Sequence, residues 1–136
     1  MKTIVVGYDD SEPAKRALAR AAELASRFGA KVVVTSVAPV LISGHGVGPT
    51  DPLDPPEEHR QDLMDAAAFL TEHGVEGEFD LALDDPAGHI VHLAEQRNAD
   101  LVVVGTHEPG LLQRLLGLSV SDKVERKAHC DVMVVH

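Results

Sequence analysis

The chain has 136 residues, a formal net charge of −10 and one cysteine, and this length predicts a single domain over residues 1–136 that buries about two-thirds of its unfolded surface. The acidic charge argues against nucleic acid or an anionic membrane as partner, because both are bound through basic faces. The lone Cys130, the absence of a signal peptide before the first strand and the lack of a membrane-length apolar run predict a cytoplasmic protein.

The first third of the chain predicts a strand, a helix and a second strand. Thr3–Val6 is an apolar run typical of a strand. Ser11 suits the N-cap of a helix that runs through Phe28, and Gly29 supplies a left-handed stop. Apolar residues of this segment recur at helical spacing: Ala14, Ala17, Leu18, Ala21, Leu24, Ala25 and Phe28. Lys31–Val37 is predicted as the second strand.

A long segment, Ala38–Pro55, separates this strand from the next helix. It contains three glycines and four prolines, a composition that predicts a surface loop; a lid over the site is the alternative. The next helix is predicted from Pro56 to His73, with Gly74 ending it. Its inward-facing residues are predicted to be Leu63, Ala67 and Leu70.

The second half of the chain continues the alternation of strands and helices. Phe79, Leu81 and Leu83 alternate with Asp80 and Ala82, as in a half-buried strand near a sheet edge. Asp85 and Pro86 predict the cap and first residue of a third helix. The core face of this helix is predicted to be Ile90, Leu93 and Ala94.

The most informative stretch begins at Leu101–Val104, an apolar run without alternation that predicts a strand buried on both faces. It stops at Gly105, and a loop to Leu118 leads to a helix that Ser119 would cap. A strand, a glycine loop and a helix N-terminus hold phosphate in many proteins, because backbone N–H groups converge there. Apolar residues predicted to line this helix are Val120, Val124 and Ala128. Val132–Val135 is predicted as the last strand, preceded by Cys130 as a small buried residue.

This order predicts an α/β fold: an open parallel five-stranded sheet with helices on both faces and right-handed crossovers. Ligands of such sheets bind beyond the carboxyl ends of the strands, where the strand order reverses. The candidates are Gly7–Ser11, after the first strand, and Gly105–His107, after the fourth.

Several of these residues resemble the universal stress protein family. Ile4–Ser11 is similar to the family's first strand and the V-D-G-S that follows it, and Gly105 with Ser119 matches two positions of the family loop G-x-x-G-x9-G-[ST]. The resemblance covers the whole chain and implies a Rossmann-like fold, of the adenine nucleotide alpha hydrolase type. It also implies an adenine-nucleotide site formed by Asp9, Val37, Gly105, Thr106, His107, Ser119 and Val120.

Within that site, the resemblance implies that Asp9 accepts a hydrogen bond from adenine. A turn carboxylate stabilised by the dipole of the first helix explains the same residue equally well. His107 stands where the family often has histidine or arginine, so it is either close to phosphate or a solvated loop residue.

The phosphate loop departs from the family pattern at two positions. Glu108 and Leu118 stand where the family has glycine, although the spacing from Gly105 to Ser119 is kept. A carboxylate about 4 Å from a phosphate charge repels it by about 4 kcal/mol at an effective dielectric near 20, a thousandfold in affinity. The sequence therefore predicts weak or absent ATP binding, whereas AMP or adenosine depends less on the loop.

Other functions have weaker support. Asp9, Asp10, Asp84, Asp85 and Thr106 resemble the carboxylate cluster of a phospho-accepting receiver domain, but no lysine and helix follow the last strand. His89 and His92 share a helix face without a third metal ligand. No nucleophile elbow or Walker loop is present, so we expect no enzymatic activity.

The last strand also predicts a partner. In the sheet order that the resemblance implies, Val132–Val135 lies at an edge, where unpaired backbone groups invite another strand. No charged residue or proline interrupts this run. We therefore expect a homodimer through Cys130–His136; a loop or helix that covers the strand within one chain is the alternative.

Overall fold

In a computed structural model of the chain, residues 1–9, 11–36, 57–81, 86–106 and 130–136 are described. Predicted features outside these ranges include the Ala38–Pro55 loop, the aspartates Asp10, Asp84 and Asp85, and the helix after Ser119. The described elements are β1 (Thr3–Tyr8), α1 (Glu12–Phe28), β2 (Lys31–Ser36), α2 (Glu57–Glu72), β3 (Gly77–Leu81), α3 (Pro86–Gln96), β4 (Leu101–Gly105) and β5 (Asp131–Val135).

The strands form a parallel sheet in the order β3-β2-β1-β4-β5. β1 pairs with β2 along its whole length, so that Tyr8 lies beside Ser36. Alternate strand residues face opposite helix layers: Val6 and Val34 pack with α1 and α2, whereas Val5 and Val33 pack with α3. This arrangement confirms the predicted α/β fold with helices on both faces of an open parallel sheet.

Helix α1 begins and ends where the sequence predicts. The Ser11 hydroxyl accepts a hydrogen bond from the Ala14 N–H at 3.2 Å, and Gly29 adopts the left-handed conformation at φ 66°. The predicted inner face is correct for its alanines and Leu18, which are buried, and Ala22 joins them. Phe28 was wrongly predicted to share the inner face: it is the last residue of the helix and is 58% exposed.

Helix α2 packs beside α1 on the same face of the sheet. Leu70 is buried as predicted, and Leu63 packs against the same cluster. Ala67 was wrongly placed on the inner face, since Ala66 is the fully buried alanine and Ala67 is only half-buried. Gly74 follows the helix with φ 67°, in agreement with the prediction that the helix ends there.

Strand β3 occupies one edge of the sheet, as its alternating pattern predicted. Glu78 accepts two hydrogen bonds from Arg97, the residue that follows α3, at 2.8 and 2.9 Å, and lies 3.3 Å from the Lys31 ammonium. The Arg97 hydrogen bond is the main reason that the pKa of Glu78 lies below its ordinary value. These contacts attach the C-terminal end of α3 to the edge strand.

Strand β5 occupies the other edge and pairs with β4 alone among the described strands. Val132–Val135 remain half-exposed, although their side chains pack against both core clusters. The Arg16 guanidinium of α1 donates a hydrogen bond to the main-chain oxygen of His136 at 2.8 Å. This position confirms the prediction that the last strand lies at an edge of the sheet.

Of the helices in the described ranges, none combines the length and apolarity needed to cross a membrane.

Candidate functional site

The strand order reverses between β1 and β4. These two strands are neighbours in the sheet, although two strands and three helices separate them along the chain. β2 and β3 lie on one side of this point and β5 on the other. Because all strands are parallel, the carboxyl ends of β1 and β4 meet at one edge of the sheet. This is the place where an open α/β sheet binds ligands, and it brings Asp9 close to Gly105 and Thr106.

Asp9 is held by the turn that leads into α1. Its Oδ1 atom accepts a hydrogen bond from the Ser11 N–H at 2.8 Å, and Ser11 in turn caps the helix at Ala14. The turn therefore fixes the direction of the carboxylate through one oxygen. The other oxygen, Oδ2, keeps its capacity to accept a hydrogen bond from an amino group.

Gly105 ends β4 against the first turn of α1. A Cβ atom built on Gly105 would lie 2.6 Å from the carbonyl carbon of Pro13 and 2.8 Å from the backbone nitrogen of Ala14. Both are backbone atoms, which cannot move aside as the end of a flexible side chain can. A glycine is therefore required here by packing, in addition to any contact with a ligand. Beyond it, the Thr106 N–H donates to the Val135 oxygen at 3.1 Å.

The N-terminus of α1 is poorly suited to an anion, although it lies at the candidate site. Pro13 has no N–H group, and the N–H groups of Ala14 and Lys15 donate to the Ser11 hydroxyl and carbonyl. Glu12 adds a negative charge to the first turn. These features disfavour a phosphate at the N-terminus of α1.

Of the predicted site residues, the structure brings Asp9, Gly105 and Thr106 together at the carboxyl edge. The other predicted contributors lie outside the described residues: Val37, His107, Ser119 and Val120, together with Glu108 and Leu118 of the loop.

Two hydroxyl groups at the end of β2 were not singled out from the sequence. Thr35 and Ser36 are 0% and 1% exposed, and neither side-chain oxygen has a hydrogen-bond partner among the described residues. Buried polar groups nearly always have a partner, so two orphans in succession are unusual. Their signal in the sequence is the pair of hydroxyl residues that follows the apolar run Val32–Val34.

His89 contacts a residue of the sheet rather than the other histidine of its helix. Its Nε2 atom pairs with Oδ2 of Asp80 on β3, and His92 lies exposed one turn further on. Within the described ranges, no three His, Cys, Asp or Glu side chains are grouped so that they could hold a metal ion. The contact with Asp80 therefore acts to hold the start of α3 against the edge strand.

Cys130 is half-buried beside the cluster under α3. Burial, followed by the charges of Asp131 and Asp100, raises the pKa of its thiol above the ordinary value. A raised pKa makes the reactive thiolate scarce at neutral pH, in agreement with the prediction of a packing residue.

Comparison with known proteins extends these observations. The model of the universal stress protein family matches residues 1–136. A universal stress protein from Methanocaldococcus jannaschii is 33% identical, over 98% of this chain and 81% of the relative. The crystal structure of a universal stress protein in complex with cAMP is 30% identical, with a TM-score of 0.66, and covers 99% of this chain and 96% of that one. The universal stress protein from Archaeoglobus fulgidus in complex with dAMP is 27% identical, with a TM-score of 0.72, over 100% of this chain and 98% of its own.

Proposed function

Because the chain belongs to the universal stress protein family, we propose that it is a stress-response module that binds adenosine monophosphate in preference to ATP and acts through binding rather than catalysis. The observation that carries this proposal is the junction of Asp9, Gly105 and Thr106 at the point where the strand order reverses. The Asp9 carboxylate offers an acceptor for the amino group of adenine, held in direction by the Ser11 N–H.

The preference for a monophosphate has two supports. The two relatives with bound nucleotide are complexes with cAMP and dAMP, each of which carries one phosphorus. In addition, α1 offers few free N–H groups, so the loop after β4 has to hold whatever phosphate is bound.

That loop carries Glu108 and Leu118 where the family pattern has glycine. In the family pattern, glycine at these two positions lets backbone approach the phosphate, so we expect a carboxylate and a leucine side chain there to disfavour each further phosphate. The penalty grows with the number of phosphates, so it falls mainly on ATP. A single phosphate can be held at the near end of the loop, close to Gly105.

Isothermal calorimetry with AMP and with ATP tests this function. We expect AMP to bind at least tenfold more tightly than ATP, and the double variant Glu108→Gly/Leu118→Gly to gain ATP affinity by a factor of tens. The matched control is Asp9→Asn, which leaves the loop intact and should weaken both nucleotides to a similar degree. An ATP dissociation constant in the micromolar range or below for the unmodified protein would refute the proposal.

We also propose that the module is a homodimer that pairs through β5. The two edges of the sheet differ in charge: β3 carries Glu78 and Asp80, whereas β5 presents Val132–Val135 half-exposed. Charged residues on an edge discourage further strand pairing, and an uncharged apolar edge favours it. A two-fold partner that offers the same strand in antiparallel orientation would satisfy both β5 edges at once.

The ladder indicates where to test this interface. The Val135 oxygen accepts from the N–H of Thr106, the residue that follows β4, so the main-chain groups of Val134, one residue earlier, point away from β4. Val134→Pro therefore removes an outward donor while it spares the β4–β5 ladder. On the opposite edge, the Glu76 oxygen accepts a hydrogen bond from Val32 of β2, so the main-chain groups of Phe79, three residues later, point away from β2. Phe79→Pro is therefore the matched control.

Light scattering at tens of micromolar protein should give a dimer for the unmodified chain and for Phe79→Pro, and a folded monomer for Val134→Pro. Circular dichroism confirms that each variant is folded. A monomeric unmodified protein, or a folded Val134→Pro variant that remains dimeric, would show that the β5 interface is wrong.

A further inference from the structure

Two side chains of opposite charge lie at the two ends of the edge strand β5. Asp131 begins the strand and is exposed, and the guanidinium of Arg16 is held beyond its last residue by the hydrogen bond to the His136 oxygen. Neither side chain forms an ion pair with another residue of the described ranges. An extended strand puts about 16 Å between Asp131 and His136, so the two charges of one chain lie too far apart to pair.

Both charges lie on the α1 side of the sheet. Met133 and Val135 pack against the cluster under α1, and Asp131 shares their face because alternate residues of a strand point the same way. The register agrees, since Asp131 lies beside Leu101, a member of the same cluster. Arg16 belongs to α1 itself. A strand added to this edge therefore meets a negative charge at one end of β5 and a positive charge at the other.

The hydrogen-bond pattern of β5 limits how a second copy of the strand can pair with it. The main-chain groups of Val135 point toward β4, which leaves those of Val132 and Val134 to face outward. In an antiparallel pair made by a two-fold axis, outward groups have to oppose outward groups. An axis through Met133 meets this condition and pairs the whole strand Asp131–Val135. An axis through Val132 or Val134 leaves part of the strand without a partner.

An axis through Met133 places Asp131 opposite Val135 of the other protomer, with Cα atoms about 4.5 Å apart as in a non-hydrogen-bonded pair. Opposed residues of such a pair point to the same face. The next residue of the other protomer is His136, whose oxygen holds the guanidinium of Arg16. The axis therefore brings together the two charges that lie far apart within one chain.

We propose that a second copy of the chain docks on β5 in this register, so that Arg16 of each protomer pairs with Asp131 of the other. This inference rests on the proposed homodimer and adds its register and the charges that select the partner. Main-chain hydrogen bonds are the same in every sequence, so a bare strand edge accepts many strands. Opposite charges in register favour a copy of the same chain, and like charges reject other pairings.

Charge reversal tests the ion pair. Arg16→Glu and Asp131→Lys each place like charges at both contacts of the dimer, so we expect each dissociation constant to rise about tenfold at low salt in analytical ultracentrifugation. A mixture of the two variants has opposite charges at both contacts of the heterodimer. Native mass spectrometry of the mixture should therefore show more heterodimer than the statistical half. Arg27→Glu, an exposed charge reversal at the other end of α1, is the matched control and should leave dimerisation unchanged.

Cysteine cross-linking tests the register independently of charge. In a Cys130→Ala background, Met133→Cys places two thiols across the axis, at a separation that a disulfide spans. Mild oxidation should therefore join the protomers of this variant. Val132→Cys is the matched control, because its two copies are diagonal neighbours about 7–8 Å apart, beyond the reach of a disulfide.

The outcomes separate this inference from the homodimer on which it rests. If the unmodified protein is a monomer, both fail. If it is a dimer that Val134→Pro dissociates, three results would each show that the register is wrong while the homodimer stands. These are an unchanged dissociation constant for Asp131→Lys, a mixture without excess heterodimer, and cross-linking of Val132→Cys in place of Met133→Cys. Asp131→Lys leaves the hydrogen bond between Arg16 and His136 in place, so its effect on dimerisation reports the charge alone.

Discussion

Replacing Gly105 by alanine tests whether this residue is required by packing. The added Cβ would lie 2.6 Å from the Pro13 carbonyl carbon, 2.8 Å from the Ala14 nitrogen and 2.9 Å from the Pro13 Cβ. Contacts below 3.0 Å with backbone cannot be relieved by a rotamer change, so either β4 or the first turn of α1 has to move. Overpacking of this kind costs about 1–3 kcal/mol of unfolding free energy.

Gly29 offers the matched comparison, because its requirement is conformational. It has φ 66°, and a Cβ built there meets no atom within 4 Å. Gly29→Ala should therefore cost about 1 kcal/mol for the left-handed conformation alone, and Gly29→Asn less, since asparagine tolerates that conformation. At Gly105 the order is reversed: Gly105→Asn should be no better than Gly105→Ala, because a larger side chain meets the same backbone.

Urea denaturation of the four variants measures these differences directly. Gly105→Ala with the unfolding midpoint of the unmodified protein would refute the packing argument. If the same variant instead lost nucleotide binding without loss of stability, Gly105 would act on the ligand rather than on α1. The comparison with Gly29 confirms that the assay detects a change of about 1 kcal/mol.

Two further predictions concern carboxylates whose pKa lies below the ordinary value. Oδ2 of Asp100 accepts from the Lys2 and Thr3 N–H groups at 2.7 and 3.0 Å, and these bonds are the main reason that the pKa of Asp100 is lowered from 3.8. A lowered pKa in the folded state favours folding at neutral pH, and this contribution is lost as the pH falls from 3.8 through the lower folded value. Asp100→Asn should therefore reduce the loss of unfolding free energy between neutral and acidic pH. An unchanged loss in this variant would contradict the prediction. Arg97→Met removes the first cause of the lowered pKa of Glu78, so an NMR titration should show that pKa move upward, with no change at Asp100 as the control.

The local signals in the sequence were sufficient for the ends of helices. Ser11 as N-cap and Gly29 and Gly74 as left-handed residues were predicted correctly, because capping depends on atoms within a few residues along the chain. The edge position of β3 was also predicted, from the alternation of Phe79 and Leu81 with polar residues. A strand with one half-exposed face carries that pattern wherever it occurs.

The inner faces of the helices were predicted less well. Phe28 matched the apolar stripe of α1 but is exposed, and Ala66 is buried in place of Ala67. Periodicity gives the direction of a face to within about one residue, whereas burial depends on how far the neighbouring element extends. That length is not encoded in the helix itself.

The sequence by itself determined the fold class and the order of elements, because these follow from hydrophobic patterns and from family resemblance over the whole chain. Only the tertiary structure decided which groups are in contact. Gly105 meets Pro13, and Ser36 lies beside Tyr8 at the end of β1, because parallel pairing and a crossover helix bring together residues that are distant along the chain. Such contacts depend on register and on packing distances of a few tenths of an ångström, and one-dimensional patterns carry neither.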